Sequence, residues 1–130
     1  MKKYIDFINE NINSLKEITL KEAISLSQLS DIQDVSEWLH KNNNDIKFFY
    51  KEEPISKFEN TIKEMESTYD EFPDEYKRTR KIYKLLKNGE KPKAIFIKLK
   101  DKDNFIMEGR HRIVAFKWLD LDKVPVIYVD

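Results

Sequence analysis

The chain opens on apolar residues at helical spacing: Tyr4, Ile5, Ile8, Ile12 and Leu15 share one face, predicting an amphipathic helix over residues 3–16. AISLSQL, residues 23–29, alternates apolar and polar with period two and reads as a strand. In SDIQDVSEWLH, Ser30 and Gln33 stand at capping-box spacing, and Ile32, Val35, Trp38 and Leu39 form the buried stripe of a short helix. KNNND is a loop and IKFFY, residues 46–50, a strand that Pro54 closes. Phe48 and Phe49 place one ring on each side of that strand, with core the commoner fate for both. Residues 57–69 read as a helix through Phe58, Ile62, Met65 and Tyr69, and DEFPDE as the turn after it.

The next helix, about 74–88, carries Tyr76, Thr79, Tyr83 and Leu86 on one face. Gly89 sits where a left-handed cap residue belongs, with Lys84 and Lys87 in the last turn and Pro92 beyond. KAIFIKL is a strand, DKDN a turn and FIM a second strand, together a hairpin. A helix starting at Arg110 and the strand KVPVIYVD complete the pattern. The fold class is α+β, one small domain over residues 1–130 with a mixed sheet, and its length gives room for one core. If the strands flanking the 110–119 helix are neighbours, that helix must cross over the sheet.

Composition narrows the chemistry. The absence of cysteine excludes disulfides, thiolate catalysis and Cys-ligated metal, and two histidines far apart argue against zinc. No apolar run approaches a membrane span, and the Met-Lys-Lys start has no apolar segment behind it, so the expected location is cytoplasmic. Net charge is zero but unevenly spread: residues 52–75 hold nine acidic residues against two lysines, residues 76–100 ten basic residues against Glu90. Bulk charge therefore gives no reason to expect nucleic-acid binding; a local basic face does.

The tetrapeptide GRHR, residues 109–112, holds one of the two glycines and one of the two histidines, and opens the most apolar helix. Projected at about 100° per residue, Ile113, Val114, Ala115, Phe116, Trp118 and Leu119 cover nearly its whole circumference, leaving only the sector of Arg110 and Lys117 to water. His111 and Arg112 emerge from buried sectors and each needs a partner. A first helical turn has free amides and the positive dipole end, Gly109 allows close approach, and arginine and histidine add donors. Together they describe an anion site, best suited to phosphate. The alternative is that Gly109 is only a turn residue, while His111 and Arg112 pair with Glu108 or another carboxylate.

The run RKIYKLLKNGEKPKAIFIKLKDKDN followed by FIMEGRHRIVAFKWLDLDKVPVIYVD resembles the ParB/sulfiredoxin-like superfamily. The shared order is a helix ending in Gly with Pro soon after, a strand, a short strand, a Gly-x-His/Arg-Arg helix start, and a final vPviv strand. It covers residues 76–130, with 18–29 as the family's first strand; residues 1–16 and 30–75 are additional, mainly helical segments. The resemblance implies a nucleotide cradle in which Gly109, Arg110, His111 and Arg112 hold the phosphates of a nucleoside triphosphate, ATP or CTP, with Mg²⁺. It implies Glu108 and His111 as the catalytic pair, Glu108 being a base or magnesium-side group unless it merely orients Arg110 or Arg112. Gly89, Glu90 and Lys91 form the loop that approaches the nucleotide in relatives. Sulfiredoxins carry a cysteine directly before the His-Arg pair; here Arg110 stands there, which excludes that activity. ParB clamps continue into further domains not found by residue 130, so a spreading DNA clamp is not expected.

Two functions follow. One is nucleotide binding with hydrolysis or phosphoryl transfer; the other is a non-enzymatic DNA-associated or regulatory protein-interaction module. The second would use the stripe of Lys77, Arg80, Lys81, Lys84 and Lys87, which is otherwise a solvated face or a partner of the acidic segment 52–75. Trp38 and Trp118 are expected in the core, and His40 has no assigned role.

Overall fold

The computed structural model describes residues 15–103 and 105–130. Five strands form one mixed sheet in the order β1-β2-β5-β3-β4: β1 Lys16–Ile18, β2 Phe48–Pro54, β3 Ile95–Lys98, β4 Ile106–Glu108 and β5 Lys123–Val129. β5 is the centre. It pairs antiparallel with β2 from Phe48↔Val129 to Pro54↔Lys123, and parallel with β3 from Ile95↔Val126 to Lys98↔Val129. β1 and β4 are antiparallel edges. The helices are α1 Leu20–Leu26, α2 Leu29–Leu39, α3 Glu59–Ser67, α4 Pro73–Lys87 and α5 Arg110–Trp118. The fold is α+β, and no helix among the described residues is long and apolar enough to cross a membrane.

The alternation of β3 and β5 sorts the buried side chains to two faces. Ile95, Ile97, Val124, Val126 and Tyr128 pack with Phe58, Ile62, Leu86 and the apolar residues of α5, beneath α3, α4 and α5. Ala94, Phe96, Ile127 and Val129 pack with Phe48, Ala23, Ile32 and Val35, beneath α1 and α2. One core was expected; the sheet instead separates two apolar clusters, because its middle strands are apolar on both sides. Phe48 belongs to one cluster and Phe49 packs against the other, as their adjacency in a strand requires. The strands flanking α5 are not neighbours: β3 lies between β4 and β5, so the chain passes from the hairpin over the sheet to the far side of β3.

The predicted strand AISLSQL is a correction: Leu20–Leu26 is helical and Leu29 opens the next helix. Thr19 accepts from the Glu22 amide at 3.1 Å and Glu22 accepts from the Thr19 amide at 3.0 Å, a reciprocal cap that starts α1 three residues before the alternation begins. Leu20, Ala23 and Ile24 then have helical spacing, with Ala23 fully buried. The family's first strand, placed within 18–29, is not there either; β1 ends at Ile18. Ser30 caps nothing, since α2 is capped by Gln28 without a side-chain bond and Ser30 lies inside it. The helix expected over 3–16 lies outside the described residues up to residue 14, and Lys16 already belongs to β1. Trp38 is no core residue: it is 57% exposed. Trp118 is half-buried among Tyr69, Tyr76 and Tyr83.

β2 carries one buried charge. Glu53 accepts from the Tyr128 hydroxyl at 2.7 Å, pairs with Lys57, and has Lys51 at 3.2 Å. Burial alone would push its carboxyl up; the Lys57 and Tyr128 hydrogen bonds, with the Lys57 charge and the Lys51 bond, hold it below the usual glutamate value. Burial and the Glu53 contact push the Tyr128 hydroxyl far up. A carboxylate depressed on folding stabilises the fold above its unfolded value near pH 4.5, and that stability is lost as pH falls through the folded value. Glu53→Gln is therefore expected to lower stability at pH 7 and to flatten the decline between roughly pH 5 and pH 3. Urea midpoints measured across that range check it.

Gly109 and Gly89 both have left-handed backbones, φ +106° and +98°. A Cβ on Gly109 would lie 2.7 Å from Cγ2 of Ile95, whereas one on Gly89 would meet nothing within 4 Å. Gly89→Ala is expected to cost only the backbone strain, about 1–2 kcal/mol. Gly109→Ala adds overlap with β3 and should cost about 3 kcal/mol or more. Equal losses in urea unfolding would contradict this difference.

Candidate functional site

The β3–β4 hairpin delivers Glu108 at the end of β4, Gly109 reverses the chain, and α5 begins at once. The close approach of Gly109 to Ile95 makes it a packing glycine, the turn role left open by its position in the sequence. The three residues that follow point three ways. Arg110 is exposed, with its guanidinium over the Phe105 ring at 5.5 Å. His111 turns sideways, its Nε2 2.5 Å from Oε2 of Glu75 on α4. Arg112 turns inward and is 8% exposed.

Arg112 donates to the Ala94 carbonyl at 2.7 Å and to Oδ1 of Asp31 at 2.9 Å. Oδ2 of Asp31 lies 2.8 Å from the same guanidinium nitrogen but receives no directed hydrogen bond. Asp31 is 1% exposed. Burial pushes its carboxyl up, against the pull of the Arg112 charge and its hydrogen bond. The guanidinium keeps its proton, and the Asp31 carboxyl is its buried hydrogen-bond acceptor.

Glu108 is half-buried and also pushed up, by burial first and then by the negative charges of Asp34 and Asp31, against Arg112 and Arg110. It holds a proton more readily than a free glutamate. Glu108 opens on a hollow of about 310 Å³ before the first turn of α5, lined also by Gly109, Arg110, His111, Glu75 and Met65. Among the described residues, the backbone amides of Arg110 and His111 have no acceptor. A larger cleft of about 690 Å³ adjoins it and shares Met65, Glu75 and Arg110.

The predicted site residues thus divide. Glu108, Gly109, Arg110 and His111 meet at one hollow. Glu90 and Lys91 line a different one, about 150 Å³, with Gln28, Lys93 and Arg112 over an apolar floor of Leu86 and Phe116. The loop and the tetrapeptide meet only through Arg112. Gly89, the left-handed residue after the Asn88 cap of α4, lines neither. Lys77, Arg80, Lys81 and Lys84 are exposed along α4, and among the described residues none is in an ion pair. Of the two alternatives for that stripe, a solvated face or a partner of residues 52–75, the described residues show the first: acids there pair with Lys51, Lys57, Lys117 and His111. No group of three or more His, Asp or Glu able to hold a metal occurs among the described residues.

Two residues of this region, Asp31 and Glu75, were not singled out from the sequence. Each stands one helical turn before a fully buried residue, Asp31 before Val35 and Glu75 before Thr79. A carboxylate in line with an apolar stripe was the available signal.

No protein-family model, no curated protein and no solved structure matches this chain.

Arg112→Met is expected to destabilise by about 3–5 kcal/mol, because it strands the Asp31 carboxylate in an apolar setting. The double variant Asp31→Leu/Arg112→Met should recover most of that loss. Urea unfolding of both single variants and the double one checks it, and additive losses would contradict it.

Proposed function

We propose that this protein binds the phosphates of a nucleoside triphosphate, ATP or CTP, at the start of α5, and uses it for hydrolysis or phosphoryl transfer. The ParB/sulfiredoxin-like resemblance of residues 76–130 supports the reading. One observation carries it: among the described residues the Arg110 and His111 amides have no acceptor and Arg110 is in no ion pair, and both residues line one hollow. Of the nearby carboxylates, Asp31 is bonded to the Arg112 head and Glu75 to the His111 ring at the edge of the hollow, while Glu108 lines it.

The roles follow from where the heads point. Arg110 offers its planar fork to phosphate oxygens, and the Arg110 and His111 amides add donors at the positive end of the helix. Glu75 accepts the Nε2 proton of His111, leaving Nδ1 as the ring's other hydrogen-bonding atom. Glu108 is the proton acceptor. Arg112 is a positioning residue that fixes the first turn without reaching the hollow. Mg²⁺ fits as a companion of the nucleotide: it takes one or two carboxylates and completes its shell with phosphates and water, and Glu75 and Glu108 both line the hollow. When bound it supplies charge neutralisation on the phosphates.

The second reading, a nucleic-acid or protein partner on α4, is favoured by the exposure of Lys77, Arg80, Lys81 and Lys84 without carboxylate partners. A thermal-shift series with ATP, CTP, GTP and ADP, with and without Mg²⁺, separates the two. A ligand at 100 times its Kd adds about 2.7 kcal/mol. The shift should vanish in Arg110→Ala and survive Lys77→Glu/Lys84→Glu. Arg110 is the residue to change, since Arg112 variants unsettle the fold itself. A flat response to all four nucleotides, or a shift unaltered in Arg110→Ala, transfers the function to the α4 face.

A further inference from the structure

The larger cleft beside the phosphate hollow has walls that phosphate binding does not use. Phe72, in the turn before α4, and Phe105, just before β4, both line it and are 52% and 43% exposed. Two phenyl rings left half in water on the walls of one cleft leave apolar surface available to a guest. Between them the cleft offers Asn60, Thr61 and Thr68 as hydrogen-bonding groups and Glu64 and Asp103 as carboxylates. Aromatic walls with a few placed polar groups, and a volume of about 690 Å³, are the features of a small-molecule site.

Phe105 is held in place. Its amide donates to the Asp101 carboxylate at 3.1 Å, and its ring meets Trp38 edge-on, with centroids 6.0 Å apart at 63°. Arg110 lies over the same ring. The guanidinium assigned to phosphate is thus fixed against an aromatic wall of the neighbouring cleft, so an anion on Arg110 has the ring surface beside it. We infer that this cleft receives the base of the nucleotide, stacked on Phe105 and Phe72, and that it selects bases bearing an exocyclic amino group. This rests on the phosphate reading above. The selectivity follows from the carboxylates: Glu64 and Asp103, when ionised, only accept hydrogen bonds, and adenine and cytosine present N–H donors where uracil presents a carbonyl.

The experiment compares ATP, CTP, UTP and inorganic tripolyphosphate by titration calorimetry, with Mg²⁺ present. ATP and CTP are expected to bind about tenfold or more tightly than tripolyphosphate, the scale of one base–aromatic stack, with UTP clearly weaker than both. Phe72→Ala leaves the ring beneath Arg110 in place and should bring the ATP-to-tripolyphosphate ratio to within about twofold, losing the contribution of the stack. Phe105→Ala should do the same. In a Trp118→Phe background, where Trp38 is the remaining tryptophan, its emission should respond to ATP and not to tripolyphosphate. Equal binding of ATP and tripolyphosphate, or a ratio unchanged in Phe72→Ala, overturns the base site while leaving the phosphate site standing. UTP equal to ATP and CTP overturns the amino-group selection. If neither ATP nor tripolyphosphate binds, the phosphate reading fails and this one with it.

Discussion

A buried arginine sets the terms for everything around it. Arg112 belongs to the helix that covers one face of the sheet, and Asp31 to a helix that covers the other. Their contact, with the bond to Ala94 just ahead of β3, closes one end of the sheet and ties both faces to its strands. A charge removed from water is tolerable only if its partner is fixed at hydrogen-bond distance. Arg112 therefore dictates the rotation of α5 about its axis and the position of its first turn.

Once that rotation is set, the neighbours have no choice. Successive residues on a helix turn by about 100°, so with Arg112 pointing inward, His111 faces α4 and Arg110 faces out. Three adjacent basic residues acquire three separate places: a buried charge, a ring held by Glu75, and an exposed guanidinium over Phe105 at the edge of a hollow. A tetrapeptide that looks in sequence like a single cradle is, in space, a branching point. Asp31 and Glu75 are taken up by the other two arms, and among the described residues the exposed arm is in no ion pair.

The sequence was most legible where local signals agreed with long-range packing. The hairpin, α5 and β5 stand where periodicity put them, since a strand apolar on both sides and a helix apolar nearly all round have few other destinations. The left-handed Gly89 after α4 was likewise written in local chemistry, whereas Pro73, read as part of the turn DEFPDE, is the first residue of that helix. α1 was misread because the alternation of residues 23–29 was weighed without Thr19 and Glu22, whose mutual bonds decide the conformation upstream of it. Trp38 defied its composition because its indole meets Phe105 on the surface instead of the core. The partners of Arg112 and His111 lie 81 and 36 residues away, and no local pattern encodes which carboxylate a buried cation will find. The chemistry of the site was visible as residue types; its division into separate hollows required the third dimension.

The position of β5 has a kinetic consequence. It follows every other described strand in sequence yet lies at the middle of the sheet, between β2 and β3. Its pairing with β2 joins residues as far apart as Phe48 and Val129, so beyond the local β3–β4 hairpin the centre of the sheet must wait for a long loop closure. Until then β2 and β3 each present an unfilled edge to the same gap, and a β5 from another copy fits that gap as well as the molecule's own. Crowded chains refolding together thus have a built-in route to strand exchange, one that dilution suppresses.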